Sequence, residues 1–187
     1  MDMIINEEIR PCDVREIHII SGVAPADVEN ILNMAAASGL FSSDAMMSAE
    51  DMAWDSAYGD GSETHTFLQA TVNESGTEKT VGFICYGRIP HWTETYELYG
   101  IAVDPEFQRL GIGSALISEM KRQVTAGTGK RIFLETGASR AYENARLFYE
   151  ANEFQLENRF HKHFVPSDGG IVYRLILESQ ESDLQYQ

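Results

Sequence analysis

The segment Val103-Asp104-Pro105-Glu106-Phe107-Gln108-Arg109-Leu110-Gly111-Ile112-Gly113-Ser114 decides how this chain is read. Glu94 to Val103 before it has the pattern of a strand, which Pro105 ends because proline cannot continue a ladder. After it, Ile112, Ala115, Leu116 and Met120 recur at helical spacing as far as the stop signal Ala126, Gly127. A strand that passes through a glycine-containing loop straight into a helix is suited to anions. The first N–H groups of the helix have no intrahelical acceptor, the helix dipole adds about half a positive charge, and glycine lets a phosphate come close to the backbone. A pyrophosphate suits such a place. A dinucleotide fingerprint needs a third glycine where Leu116 stands, and a kinase-type P-loop needs Gly-Lys-Ser/Thr, which is absent. Taken alone, a Gly-x-Gly after a strand is also compatible with a plain turn.

Working outward, Arg131 to Glu135 predicts a short apolar strand. Tyr142 to Asn152 predicts a helix with Ala145, Phe148 and Tyr149 on one face, and Gln155 to His163 and Gly170 to Leu177 predict closing strands. Upstream, Thr66 to Val72 and Thr80 to Tyr86 flank the turn-rich Asn73 to Gly76 and predict an antiparallel hairpin. Val14 to Ile20 reads as a strand. Ala26 to Ser38 reads as a helix, with Pro25 near its start and Gly39 past its end. A second helix is expected over Ser43 to Ala57, with Met46, Met47 and Trp54 as a core stripe. Hairpin strands followed by strand, helix, strand, helix, strand predict a mixed sheet with helices on both sides.

At 187 residues, 43% of them hydrophobic, the chain suits one domain over its whole length, with about 1–13 and 178–187 as candidate flexible ends. No apolar run approaches the roughly 20 residues of a membrane helix, and Met1 to Arg10 lacks the regions of a signal peptide, so a cytoplasmic protein is expected. The 29 acidic residues outnumber 14 basic ones for a net charge of -15. That balance argues against nucleic acid and anionic membrane as partners and favours cations, protonated amines included, although a solvated acidic surface explains it equally well. Cys12 and Cys85 have no Cys-x-x-Cys spacing, and Cys85 in its apolar run reads as a small buried hydrophobe. His161 and His163 share a strand face without a third ligand, so no metal is expected. His91 and Trp92 are candidates for the rim of an acceptor pocket.

Gln108 to Gly113 matches the Q/R-x-x-G-x-G/A motif of the GNAT acetyltransferases, preceded by the apolar strand end Ile101-Ala102-Val103. Ala145-Arg146-Leu147-Phe148-Tyr149-Glu150 with Phe154 resembles that family's later helix. The resemblance runs from about Thr80 to Leu177 and is closest to bacterial small-molecule acetyltransferases. It implies the GNAT fold: an α/β (α+β) domain with a mixed, mostly antiparallel sheet of six or seven strands, splayed between two central parallel strands. It also implies acetyl-CoA as co-substrate. Backbone groups of Ile101, Ala102 and Val103 would meet the pantetheine arm. Gln108, Arg109, Leu110, Gly111, Ile112, Gly113 and Ser114 would meet the pyrophosphate. Asn144 is a further cofactor candidate, although the family's asparagine position is taken by Tyr142.

An amine near pKa 10.4 is over 99% protonated at pH 7, so acetyl transfer needs a base as well as help for the leaving thiolate. Glu97, six residues before Val103, matches the catalytic glutamate of the histone-acetyltransferase branch. Simple alternation puts it on one face with Tyr99, Ile101 and Val103. Tyr149 matches the family's general acid. Arg146 flanks it as a possible cofactor contact. Glu153 stands where the family has glycine, and Asn152 is expected to take the left-handed cap. The reading is direct acetyl transfer to the primary amine of a small molecule. A non-catalytic acyl-CoA sensor and a protein N-acetyltransferase are the alternatives, and a homodimer is left open.

Overall fold

The computed structural model describes residues 16–59, 65–74, 76–157 and 169–177. Seven strands among these residues form one sheet: β1 (Ile17–Ser21), β2 (His65–Glu74), β3 (Thr77–Arg88), β4 (Thr95–Val103), β5 (Arg131–Gly137), β6 (Gln155–Leu156) and β7 (Gly170–Ile176). Their order is β1-β2-β3-β4-β5-β7-β6. Every neighbouring pair is antiparallel except β4 and β5, which run parallel in the interior of the sheet. The connections explain this. A tight turn, in which the Gly76 N–H donates to Asn73 Oδ1 at 2.9 Å, can only reverse β2 into β3. The crossover between β4 and β5 contains a helix, which is what a parallel pair requires.

Among the described residues, four α-helices flank the sheet: α1 (Val28–Ser38), α2 (Ser43–Tyr58), α3 (Ile112–Ala126) and α4 (Glu143–Ala151). Val28, Ile31, Met34 and Ala35 of α1, with Ala53 of α2, bury one face of the sheet at Phe67, Phe83, Cys85 and Ala102. Ile112, Leu116, Ile117, Met120 and Val124 of α3 bury the other face at Leu68, Ala70, Leu98 and Leu134. α1 stops at Gly39, whose φ of 67° is the left-handed conformation that glycine takes without a Cβ penalty. The Ser42 hydroxyl accepts the Ala45 N–H and starts α2. No helix among the described residues is long and apolar enough to cross a membrane.

Two local expectations need correction. The α2 stripe is not core: Met46 packs inward, but Met47 and Trp54 are exposed, and Trp54 stacks on Tyr58 with ring centres 5.6 Å apart. The buried side of α2 is carried by Ala49 and Ala53, whose small side chains leave no need for a large one. The left-handed residue after α4 is Glu153 itself, at φ 72°, while Asn152 has φ -100°. The Glu153 carboxylate pairs with Lys121 on α3. Cys85 is buried as expected, and desolvation pushes its thiol pKa well up. Cys12, His161 and His163 lie outside the described residues, as do both chain ends.

Candidate active site

β4 and β5 are paired only from Thr95 with Arg131 to Leu98 with Leu134. Both strands run on, β4 to Val103 and β5 to Gly137, so their edges part and the sheet is open between them. A β-bulge lies at the parting point. Cys85 of β3 pairs with Gly100 and Tyr86 with Leu98, which leaves Tyr99 as one extra residue in β4. Such a residue bends its strand and resets the alternation beyond it. Tyr96 and Leu98 belong to the α3 side, and after the bulge so do Ile101 and Val103. Tyr99 and Ala102 pack on the α1/α2 side, where a Cβ on Gly100 would come within 2.9 Å of Phe41. The expectation that Glu97, Tyr99, Ile101 and Val103 share one face is therefore wrong. Glu97 and Tyr99 face α1 and α2, and Ile101 and Val103 face α3.

The loop at the end of β4 is tied down by its own polar groups. Asp104 donates its N–H to the Val81 carbonyl at 2.9 Å and accepts the Glu106 N–H at 3.0 Å, and Phe107 is buried beneath it. The Gln108 side chain donates to the Val103 carbonyl at 3.1 Å. Gly111, at φ 84°, is the N-cap of α3; no side chain caps this end, and no acidic residue sits in the first turn. Nothing lies within 4 Å of the position a Gly111 Cβ would take. Gly111, Ile112, Gly113 and Ser114 line a cleft, at the positive end of the helix dipole. Gly113 has a different reason to be glycine: its Cβ would stand 3.0 Å from the Phe148 ring, so it lets α3 and α4 approach.

A cleft of about 610 Å³ runs from this loop through the opening in the sheet. Of the residues singled out from sequence, Ile101, Ala102, Val103, Gln108, Arg109, Gly111, Ile112, Gly113, Ser114, Asn144 and Tyr149 line it. Leu110 does not, and its side chain is exposed. Arg146 is not in the cleft either, because its guanidinium donates to the carbonyls of Gly137 and Ser139 at 2.7 and 2.9 Å and braces the loop after β5. His91 and Trp92 do not rim the cleft; Trp92 packs edge-on against Phe133, 5.8 Å between centres. Sequence reasoning missed Leu40 and Phe41, between α1 and α2, Ala45 in the first turn of α2, and Glu135, Thr136 and Tyr142, at and after the end of β5. The parallel register that sets Glu135 near β4 leaves no local signal.

Among the groups of shifted acidity in this region are Tyr149 and Glu97. Tyr149 is half-buried among Phe148, Phe154 and Tyr173, with ring centres 5.5, 5.9 and 6.3 Å away, and desolvation pushes its phenol up to about 12. It is a hydrogen-bond donor at any ordinary pH. Glu97 does not line the cleft directly. It is half-buried beside its register partner Phe133, and desolvation, with a smaller contribution from the charge of Glu135, raises its carboxyl to about 7. A carboxylate so poised gains or loses a proton near neutrality.

An opened parallel pair with an uncapped helix N-terminus at its mouth is the layout that the sequence resemblance implies for an acyl-CoA-dependent transferase, and the sequence comparison gives the same class. The profile of the family described as Acetyltransferase (GNAT) matches residues 32–154, and the chain belongs to that family. Members transfer an acyl group from acyl-CoA. Among solved structures, the chain is similar to a GNAT-family acetyltransferase of Desulfovibrio desulfuricans, at 28% identity and a TM-score of 0.76 over 87% of this chain and 100% of that one. Two more distant structures share the fold. The PaiA N-acetyltransferase of Thermoplasma acidophilum in complex with coenzyme A has 19% identity and a TM-score of 0.65 over 86% and 99% of the two chains. The ribosomal-protein-S18-alanine N-acetyltransferase of Escherichia coli has 20% identity and a TM-score of 0.61 over 92% and 100%. No curated protein matches the chain significantly.

Proposed function

We propose that the chain acetylates the primary amine of a small molecule by direct transfer from acetyl-CoA within a ternary complex. The observation that carries this reading is the opening between β4 and β5, which joins the uncapped end of α3 on one side of the sheet to the α1/α2 wall on the other. The residues present fit the co-substrate. The first turn of α3, Gly111 to Ser114, lines the cleft without a side-chain cap and suits a pyrophosphate, with Arg109 as the cation on the cleft wall. The β4 edge from Tyr99 to Val103, unpaired towards β5, offers hydrogen bonds to an amide-bearing pantetheine arm. A cleft of about 610 Å³ shared with that arm leaves room for a small acceptor against Leu40, Phe41 and Ala45.

The acceptor arrives as an ammonium and loses two protons overall. Glu97, on the acceptor side of the sheet but behind the cleft wall, takes the first through an intervening water. The nitrogen lone pair then forms the N–C bond as the C–S bond breaks, and the sulfur keeps the bonding pair. Tyr149 donates a hydrogen bond to that sulfur. Outright proton transfer from a phenol near 12 to a thiolate of pKa about 8.5 would be uphill by about 5 kcal/mol, so the second ammonium proton ends on sulfur instead. The test is thiol release from acetyl-CoA with a panel of small amines and peptides bearing free N-termini. Turnover with small amines, reduced about 10-fold or more in Tyr149→Phe while acetyl-CoA affinity is kept, supports the reading. Turnover with peptides alone would move the acceptor to the protein class, and acetyl-CoA binding without any turnover would make the chain a sensor.

A further inference from the structure

Two carboxylates stand on the α1/α2 face where the sheet opens, and Glu135 has so far been given no part. Glu97 pairs in register with Phe133, and Glu135 follows two residues later on β5. Ile132 and Leu134 point into the α3 core, so Phe133 and Glu135 point the other way, to the face that holds Glu97. By Glu135 the β4–β5 pairing has ended. Its side of β5 is therefore a free edge, and Glu135 lines the cleft where Glu97 does not.

We infer that Glu135 is the specificity-determining residue for the acceptor: its carboxylate receives the incoming ammonium and disfavours any acceptor with a carboxylate next to the reacting nitrogen. The inference rests on the acetyl-transfer reading above and names its substrate class, amines whose substituents are neutral or cationic. Glu135 is the one carboxylate among the described cleft-lining residues, so an acceptor bound in the cleft meets it rather than Glu97. The rest of the acceptor wall, Leu40, Phe41, Ala45 and Tyr99, carries no cation that could hold an acceptor carboxylate. Arg109, the cation on the lining, sits at the opposite end, by the N-terminus of α3. The strands of this sheet face also carry His18, His65, Glu78, Cys85, Tyr99, Arg131 and Arg174. His65 is held by the Met52 carbonyl, Arg131 reaches the Thr93 carbonyl, and Arg174 pairs with Glu157 at 2.9 Å. The interaction between the two carboxylates supports the placement, because the charge of Glu135 helps hold the Glu97 proton.

The experiment compares free amino acids with the corresponding amino-acid amides, and a diamine with an alkyl monoamine, on the parent, Glu135→Gln and Glu135→Asp. The parent should prefer the amide and the diamine in kcat/KM. Glu135→Gln should shrink each preference by about 10-fold to 100-fold, mainly through KM, and Glu135→Asp should recover part of it. The acid limb of the kcat/KM profile should also move to lower pH in Glu135→Gln, a change that a merely structural role would not produce. If the parent turns over amines but Glu135→Gln keeps the same preferences and the same acid limb, this inference is overturned and acetyl transfer stands. If the parent releases no thiol with any amine, both readings fall.

Discussion

Glu97 shows how a single side chain trades stability against chemistry. Its spacing from Val103 identified it, but its usefulness comes from desolvation that lifts its carboxyl from 4.5 to about 7. The sign of the linked stability effect follows. Below about pH 4.5 the group is protonated whether the chain is folded or not. Between 4.5 and 7 the folded chain keeps a proton that the unfolded chain has released. Above 7 the folded chain carries the desolvated charge in full. Glu97→Gln should therefore match the parent in thermal unfolding below about pH 4.5 and exceed it increasingly up to pH 8, by at most about 3 kcal/mol. Over the same range its turnover should fall, since general-base help is worth about 100-fold to 10,000-fold. Equal unfolding curves at pH 8 would mean that Glu97 is better solvated than its position implies.

At the scale of elements, the approach of α3 to α4 is what makes the mouth of the cleft. The two glycines of the loop divide the work: Gly111 supplies the left-handed turn that aims the helix end, and Gly113 supplies the clearance for Phe148. Gly113→Val should destabilise the chain by about 1–3 kcal/mol through overpacking, seen as a lower Tm. The double substitution with Phe148→Leu should restore part of the loss. If Gly113→Val keeps its Tm but binds acetyl-CoA more weakly in calorimetry, Gly113 serves the pyrophosphate rather than the packing. The β4 bulge matters at the same scale, since one extra residue, Tyr99, sends Glu97 and Val103 to opposite faces.

Over the whole molecule, the net charge of -15 sets long-range behaviour that no local feature cancels. Raising ionic strength from 0.01 to 0.15 M shortens the screening length from about 30 to 8 Å, so self-repulsion should weaken and Tm should rise. The same screening should lower kcat/KM for a cationic acceptor, because its attraction to the protein is reduced. A Tm that falls with salt would point to stabilising ion pairs outweighing the excess of acidic charge, and a salt-independent kcat/KM would remove steering from the account.

The sequence by itself determined what depends on near neighbours along the chain: strands from alternation, helices from the 3.6 period, the stop at Gly39, the hairpin at Asn73 to Gly76, and the anion-suited loop before α3. Those features rest on local backbone and side-chain chemistry, which is legible wherever the residues are read in order. Tertiary structure alone decided the rest. The bulge at Tyr99 exists only because β3 pairs with β4 in one register, and it turned Ile101 and Val103 to the face opposite Glu97, against strict alternation. Glu135 entered the cleft through a parallel pairing between strands more than thirty residues apart. Small alanines at Ala49 and Ala53 turned Met47 and Trp54 outward against their hydrophobicity. Each of these outcomes is fixed by contacts between segments distant in sequence, whose register and approach are chosen by packing of the whole core.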